Sequence, residues 1–183
     1  MPALGGGKYM QQNVLPAQGK VNYLEALEIA IEREIKARFM YVTMARYAKE
    51  THMKRKLEFL AQEEDSHKVN LQDLYQKISG LTRDFDDLVK FPDEGTAASL
   101  ASVEMADLLR LAIGKETEAS QFYVVLAGNS SDPSMKEIFN YLAEEELTHR
   151  RMLELQLKLY VGERPMGNEA SVEMVPGVYK EWW

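Results

Sequence analysis

Between Asn22 and Gly162 the apolar positions recur at alternating spacings of three and four residues, interrupted near position 51, across 80–101 and at 129–133. That period predicts amphipathic helices rather than strands. A first helix is expected from Asn22, a suitable N-cap with Glu25 three residues on, to about Glu50. A second follows the break near Thr51 and continues to Gly80, a residue suited to a left-handed cap. Ser102 is the expected cap of a third helix running to about Ala127. The turn at 129–133 (NSSDP) places Asp132 as N-cap and Pro133 at the first position of a fourth helix, which ends at Gly162. The short breaks predict two antiparallel hairpins. The stretch 81–101, with Pro92, Gly95 and the acidic Asp84, Asp86 and Asp87, is long enough to cross from one end of a bundle to the other. The expectation is an all-α four-helix bundle over 22–162. Residues 1–21, with three consecutive Gly, read as an extended or mobile arm, and 163–183, ending in Trp182 and Trp183, show no clear period and no functional signal.

An internal repeat relates the hairpins. A shift of 82 places Glu34 on Glu116, Tyr41 on Tyr123, Glu64 on Glu146 and His67 on His149 without a gap, together with Leu27 on Leu109, Leu60 on Leu142 and Gly80 on Gly162. The seam of the first helix reads Leu27, Ala30, Glu34, Ala37, Tyr41, Met44, and that of the second Leu57, Leu60, Glu64, His67, Leu71, Leu74, Ile78. The third reads Leu109, Ala112, Glu116, Ala119, Tyr123, Leu126, and the fourth Phe139, Leu142, Glu146, His149, Leu153, Gln156, Tyr160. Ionisable residues interrupt all four apolar seams at one level. A pseudo-twofold axis is implied.

Composition narrows the chemistry. The chain has 183 residues, enough for one domain with a substantial core, and its 28% charged residues give a formal charge of -7. Phosphate recognition needs a concentrated basic surface, so neither nucleic acid nor an anionic membrane is an expected partner. No apolar run approaches the roughly 20 residues that span a bilayer, and the N-terminal segment lacks a secretory pattern, so the expected location is the cytoplasm. With no Cys, thiolate metal sites, Fe–S clusters and cysteine nucleophiles are excluded. A metal would have to be held by oxygen and imidazole.

Four carboxylates buried at mid-bundle without compensation cost several kcal/mol each or force protonation. No Arg or Lys lies on the seams to pair with them. Two divalent cations would neutralise four glutamates, and neutral imidazoles would complete the coordination without adding charge. Two of the three His have a Glu three residues before them and another on the preceding helix, which yields Glu34, Glu64, His67, Glu116, Glu146 and His149 as metal ligands. His52 has no such context and is expected at the surface. Tyr41 and Tyr123, two turns beyond Glu34 and Glu116 on the same face, are expected either to orient those carboxylates through their hydroxyls or to be plain core aromatics. Glu63 is a candidate acceptor for His149, and Glu145 for His67. Ala30, Ala37, Ala112 and Ala119 either leave room for a small oxidant or allow close helix packing. Phe39, Phe59 and Phe122 are expected to fill the core.

The lines AIEREIKARFMY (30–41) and LAQEEDSH (60–67), with their echoes AIGKETEASQFY (112–123) and LAEEELTH (142–149), resemble the rubrerythrin-like branch of the ferritin-like superfamily over about 22–162. The resemblance implies a ferritin-like bundle with a non-haem di-iron centre on the six residues named above, manganese or a mixed pair also suiting the donors. It implies an oxidoreductase that reduces hydrogen peroxide or oxidises ferrous iron. Reaction with dioxygen at the same site, iron storage or handling, and a bundle merely stapled by its metals are the other readings the residues leave open, and a homodimer is expected. Rubrerythrins proper carry a rubredoxin-like module with four Cys, which this chain lacks, so electrons would come from a separate donor such as a rubredoxin-like protein. They also carry a further Glu three residues after the third-helix ligand, where this chain has Ala119.

Overall fold

The computed structural model describes residues 22–86, 89–91 and 102–162. The arm expected over 1–21, the tail over 163–183, and Asp87, Pro92 and Gly95 of the crossover lie outside them. Four helices form in the expected order: α1 Tyr23–Tyr47, α2 Thr51–Ser79, α3 Met105–Asn129 and α4 Pro133–Gly162. There are no strands among the described residues.

The helix ends follow from local chemistry. The Asn22 side chain accepts hydrogen bonds from the backbone N–H groups of Leu24 and Glu25, satisfying two of the free donors at the start of α1. Asp132 does the same for Ser134 and Met135 at the start of α4, with Pro133 in the first turn, where its missing N–H costs nothing. Gly80 closes α2 at φ 72°, in the left-handed region that favours glycine, and its N–H bonds to the Gln76 carbonyl. Ser102 is not the cap of α3. It sits in a short 3-10 turn, and Glu104 occupies the cap position without a side-chain cap hydrogen bond.

Helices of one hairpin pack closely along their length, whereas α1 meets α3, and α2 meets α4, across a wider gap bridged by side chains. Two apolar clusters fill the ends of the bundle. One gathers Met44, Met53, Leu57, Leu109 and Leu153, and the other gathers Leu27, Ile31, Leu71, Tyr123, Phe139 and Phe85 of the crossover. The polar level lies between them. The crossover is pinned at both described ends: Tyr75 Oη and Arg83 Nη1 donate to Glu28 Oε1 at 2.9 and 2.6 Å, and Phe91 lies 4.5 Å from the Phe39 ring. Glu28 and Phe39 are about 16 Å apart along α1 at 1.5 Å per residue, so the segment runs along the bundle as expected.

The seams of α3 and α4 are as expected save for partly exposed Ala119. On α2 the buried stripe passes from Leu71 to Tyr75, leaving Leu74 half-buried and Ile78 44% exposed. A helix of 3.6 residues per turn drifts off a strict three-four alternation, and here the drift decides the last turns. Phe59 is not core filling: it is 42% exposed on the outer face of α2, off the stripe of Leu57 and Leu60, while Phe39 and Phe122 are partly buried. His52 is exposed, as expected.

Candidate metal centre

Glu34, Glu64, His67, Glu116, Glu146 and His149 are all buried, and the bundle brings all six together at its mid-level. They fall into two overlapping groups. Glu34 and His67 of the first hairpin share one with Glu64 and Glu146, and Glu116 and His149 of the second share the other with the same two glutamates; within each group the ligating atoms lie within 4.8 Å of one another. The pseudo-twofold axis exchanges the groups. His67 Nδ1 stands 3.6 Å from Glu34 Oε2, Glu64 Oε2 and Glu146 Oε1 alike. His149 Nδ1 stands 3.1 Å from Glu64 Oε1, 3.5 Å from Glu146 Oε2 and 3.9 Å from Glu116 Oε2. The two imidazole rings stack with centroids 5.4 Å apart.

These donors fit a pair of cations better than they fit each other. Glu64 Oε1 and Oε2, Glu146 Oε1 and both Nδ1 atoms are buried without a hydrogen-bond partner, although orphaned polar atoms of this kind are rare in a folded interior. Donors sharing a divalent ion at about 2.1 Å stand about 3.0–3.4 Å apart, close to the separations found. Carboxylate and imidazole are the donor types that suit iron and manganese.

Without metal the charge is balanced by protons. Burial, then the Glu146 and Glu64 charges, pushes Glu34 well above the usual carboxylate range; burial, then proximity to Glu146 and the charge of Glu64, does the same to Glu116. Burial and the Glu146 charge also act to raise Glu64, but His149, His67 and Glu34 outweigh them and hold it below its ordinary value. Glu146 goes the same way and further, burial being outweighed by Glu116, His149 and His67. Burial disfavours the charged imidazoles, yet the carboxylates beside them prevail: His149 is pushed up to about 10 and His67 far above its usual range. Two neutral carboxyls, two carboxylates and two imidazolium rings sum to zero. Two divalent ions with four carboxylates and two neutral imidazoles also sum to zero.

Tyr41 and Tyr123 reach carboxylates, but not those of their own helices. Tyr41 Oη donates to Glu116 Oε1, and Tyr123 Oη donates to Glu34 Oε1. The expected pairing within one helix is therefore corrected to a crossed one: leaning towards its N-terminus, each ring also crosses the α1–α3 gap and meets the opposite ligand first. Burial, then the facing carboxylate, raises both phenols, so they stay protonated and donate. No hydrogen bond joins Glu63 to His149 or Glu145 to His67 among the described residues. Both glutamates are half-buried, one position off the seam, and Glu145 comes within 4.8 Å of ligating atoms of both imidazoles. Ala30 and Ala112 are fully buried packing residues. Ala37 and Ala119 instead line a cavity of about 190 Å³ that opens between α1 and α3 and reaches Glu34, Glu64, Glu116 and Glu146. Its rim carries Arg33, Lys36, Lys115 and Glu118, which the sequence reading missed. The signal was there, since a cation precedes the first glutamate in both repeats.

The Rubrerythrin family model matches residues 25–99 and 107–180. The chain belongs to the rubrerythrin family. A solved structure, a hypothetical protein from Pyrococcus furiosus, is similar at 28% identity and a TM-score of 0.62, over 77% of this chain and 91% of that one. No curated protein sequence matches. Among the described residues no helix is long and apolar enough to cross a membrane.

Proposed function

We propose that this chain is a non-haem di-iron oxidoreductase that reduces hydrogen peroxide or reacts with dioxygen at the mid-bundle cluster. The observation that carries this reading is the pair of overlapping Glu/His groups, with orphaned donor atoms, in a chain of the rubrerythrin family. Glu34 and His67 would hold one iron and Glu116 and His149 the other, with Glu64 and Glu146 shared between them. Iron bound there supplies the electrons that cleavage of an O–O bond consumes. The protein's own part is to fix the donors. Tyr41 and Tyr123 hold Glu116 and Glu34 in place through their hydroxyls, and the apolar clusters close the bundle at both ends of the site. A separate donor such as a rubredoxin-like protein would return the electrons, since the chain has no Cys. A cytoplasmic homodimer fits this reading.

A second reading, ferrous iron oxidation and iron handling, is favoured by one observation: Ala119 provides no further carboxylate at the cavity. Stopped-flow mixing of anaerobic, iron-loaded protein with peroxide or with oxygen tests both readings. Rapid oxidation by a stoichiometric amount of either, reversed by reduced rubredoxin in a dimer-sized species, is expected. A shell-sized particle that accumulates many irons per chain would favour iron handling. An iron spectrum unmoved by both oxidants would reduce the metals to a structural staple.

A further inference from the structure

The opening between α1 and α3 has a charge opposite to that of the molecule. Acidic residues outnumber basic ones 29 to 22 in the chain, yet the rim of this cavity carries three cations, Arg33, Lys36 and Lys115, against Glu118 and the neighbouring Glu32, a surplus of one positive charge. Arg33 and Lys115 occupy equivalent positions of the two repeats, so the axis that organises the cluster also sets a cation on either side of its mouth. The Arg33 guanidinium lies over the Phe122 ring, 4.5 Å from its centre, which fixes its charge at the rim. Lys115 Nζ is 3.0 Å from Glu118 Oε2 and Lys36 Nζ is 2.7 Å from Glu32 Oε1; both lysines stay partly buried while their carboxylate partners turn outward. Beneath the rim, Ala37 and Ala119 withdraw their bulk, and the unpartnered oxygens of Glu64 and Glu146 belong to residues of the cavity floor.

Resting on the reading of the cluster as a dimetal site, we propose that this opening is a charge filter. It admits small anions and neutral molecules to the metals and slows the passage of free divalent cations. A rim with a surplus of one sign, set in low-dielectric walls, alters the local concentration of ions and hence their rate of arrival. The about 190 Å³ cavity suits a ligand of two or three heavy atoms with accompanying water. Passage of ferrous iron as a substrate would call for the opposite charge at this mouth, so the proposal favours a small oxidant.

The test compares wild-type protein with Arg33→Glu/Lys115→Glu and with the charge-preserving Arg33→Lys/Lys115→Arg. The first quantity is the rate of Co2+ uptake by metal-free protein, and the second is azide affinity of Co2+-loaded protein, both followed in the visible bands of bound cobalt. The glutamate pair should take up Co2+ about tenfold faster at low ionic strength, an advantage that shrinks in high salt, and should bind azide about tenfold more weakly. The charge-preserving pair should behave as wild type. Arg33→Gln/Lys115→Gln, which neutralises without reversing, should give intermediate values and stands in should the glutamate pair fail to fold. Unchanged uptake or unchanged azide affinity in the charge-altered proteins overturns the filter. Failure of wild-type protein to bind Co2+ at the cluster would instead overturn the dimetal reading, and a working filter in a protein inert to oxidants would leave the inference standing while the proposed activity fell.

Discussion

The two hairpins carry one pattern with unequal fidelity. At the mid-level the match is complete: Glu34, Tyr41, Glu64 and His67 recur as Glu116, Tyr123, Glu146 and His149. Away from it the halves diverge. Asn22 caps α1 while Glu50, at the cap position before α2, makes no side-chain cap hydrogen bond, and in the second hairpin it is α4 that is capped, by Asp132, and α3 that has none. Lys36 at the cavity rim has Glu118 as its counterpart. A capping bond or rim charge can be varied singly, because each acts locally. The six donors form one electrostatic unit, so replacing any member upsets the balance of protons or of metal charge shared by the others.

The largest effect should come from breaking the equivalence of Glu34 and Glu116. Glu34→Ala and Glu116→Ala should each reduce bound iron from two per chain to one or fewer, by the same amount, in elemental analysis of loaded protein. Two irons held by Glu116→Ala with unaltered affinity would show the ligand assignment to be wrong.

Proton exchange should come next. At pH 7 the raised His67 and His149 are protonated in the metal-free protein, and burial favours the protonated forms of Glu34 and Glu116, so loading two divalent ions should release at least two protons into a weakly buffered indicator solution. These pKa values are raised above the unfolded ones, so the stability they provide is present at low pH and lost as pH rises through the folded values. For His149 the loss should extend from about 6.5 to about 10. The depressed Glu64 and Glu146 act oppositely, and their contribution is lost only as pH falls below the ordinary carboxylate range. Thermal melts of metal-free protein should therefore fall between pH 6.5 and 10 and rise again on adding metal. A flat profile would mean that the imidazoles are not charged in the metal-free state.

The crossed tyrosines sharpen the comparison further. Tyr41→Phe should weaken metal binding about 10- to 100-fold, and Tyr123→Phe likewise. In double-mutant cycles Tyr41→Phe should couple to Glu116→Gln and be additive with Glu34→Gln; the reverse would restore pairing within each helix. The smallest effects belong to the caps. Asn22→Ala and Asp132→Ala should each cost about 1 kcal/mol in denaturant unfolding, and Glu50→Ala less than about 0.5 kcal/mol.

The four helices, their caps at Asn22 and Asp132, the left-handed Gly80 and the residues of the cluster were all readable in the sequence, because each depends on spacing or on local backbone chemistry. Ser102, Ile78, Phe59 and the tyrosine partners were not. Ser102 competes with other residues for one cap position, and Ile78 and Phe59 depend on the fine phase of a long helix. The partner of Tyr41 depends on the width of the α1–α3 gap, which no single helix encodes. The cationic rim was visible residue by residue, but its meaning required the cavity that Ala37 and Ala119 open.

Because each tyrosine secures a glutamate of the opposite half, neither hairpin is self-sufficient. Cut at the crossover, either half would present two glutamates, a histidine and a phenol to solvent, with nothing to match them but another copy in the same orientation. The single chain is thus a covalently tethered version of a symmetric pair. Its long crossover supplies at fixed, high effective concentration what free halves would have to find by collision.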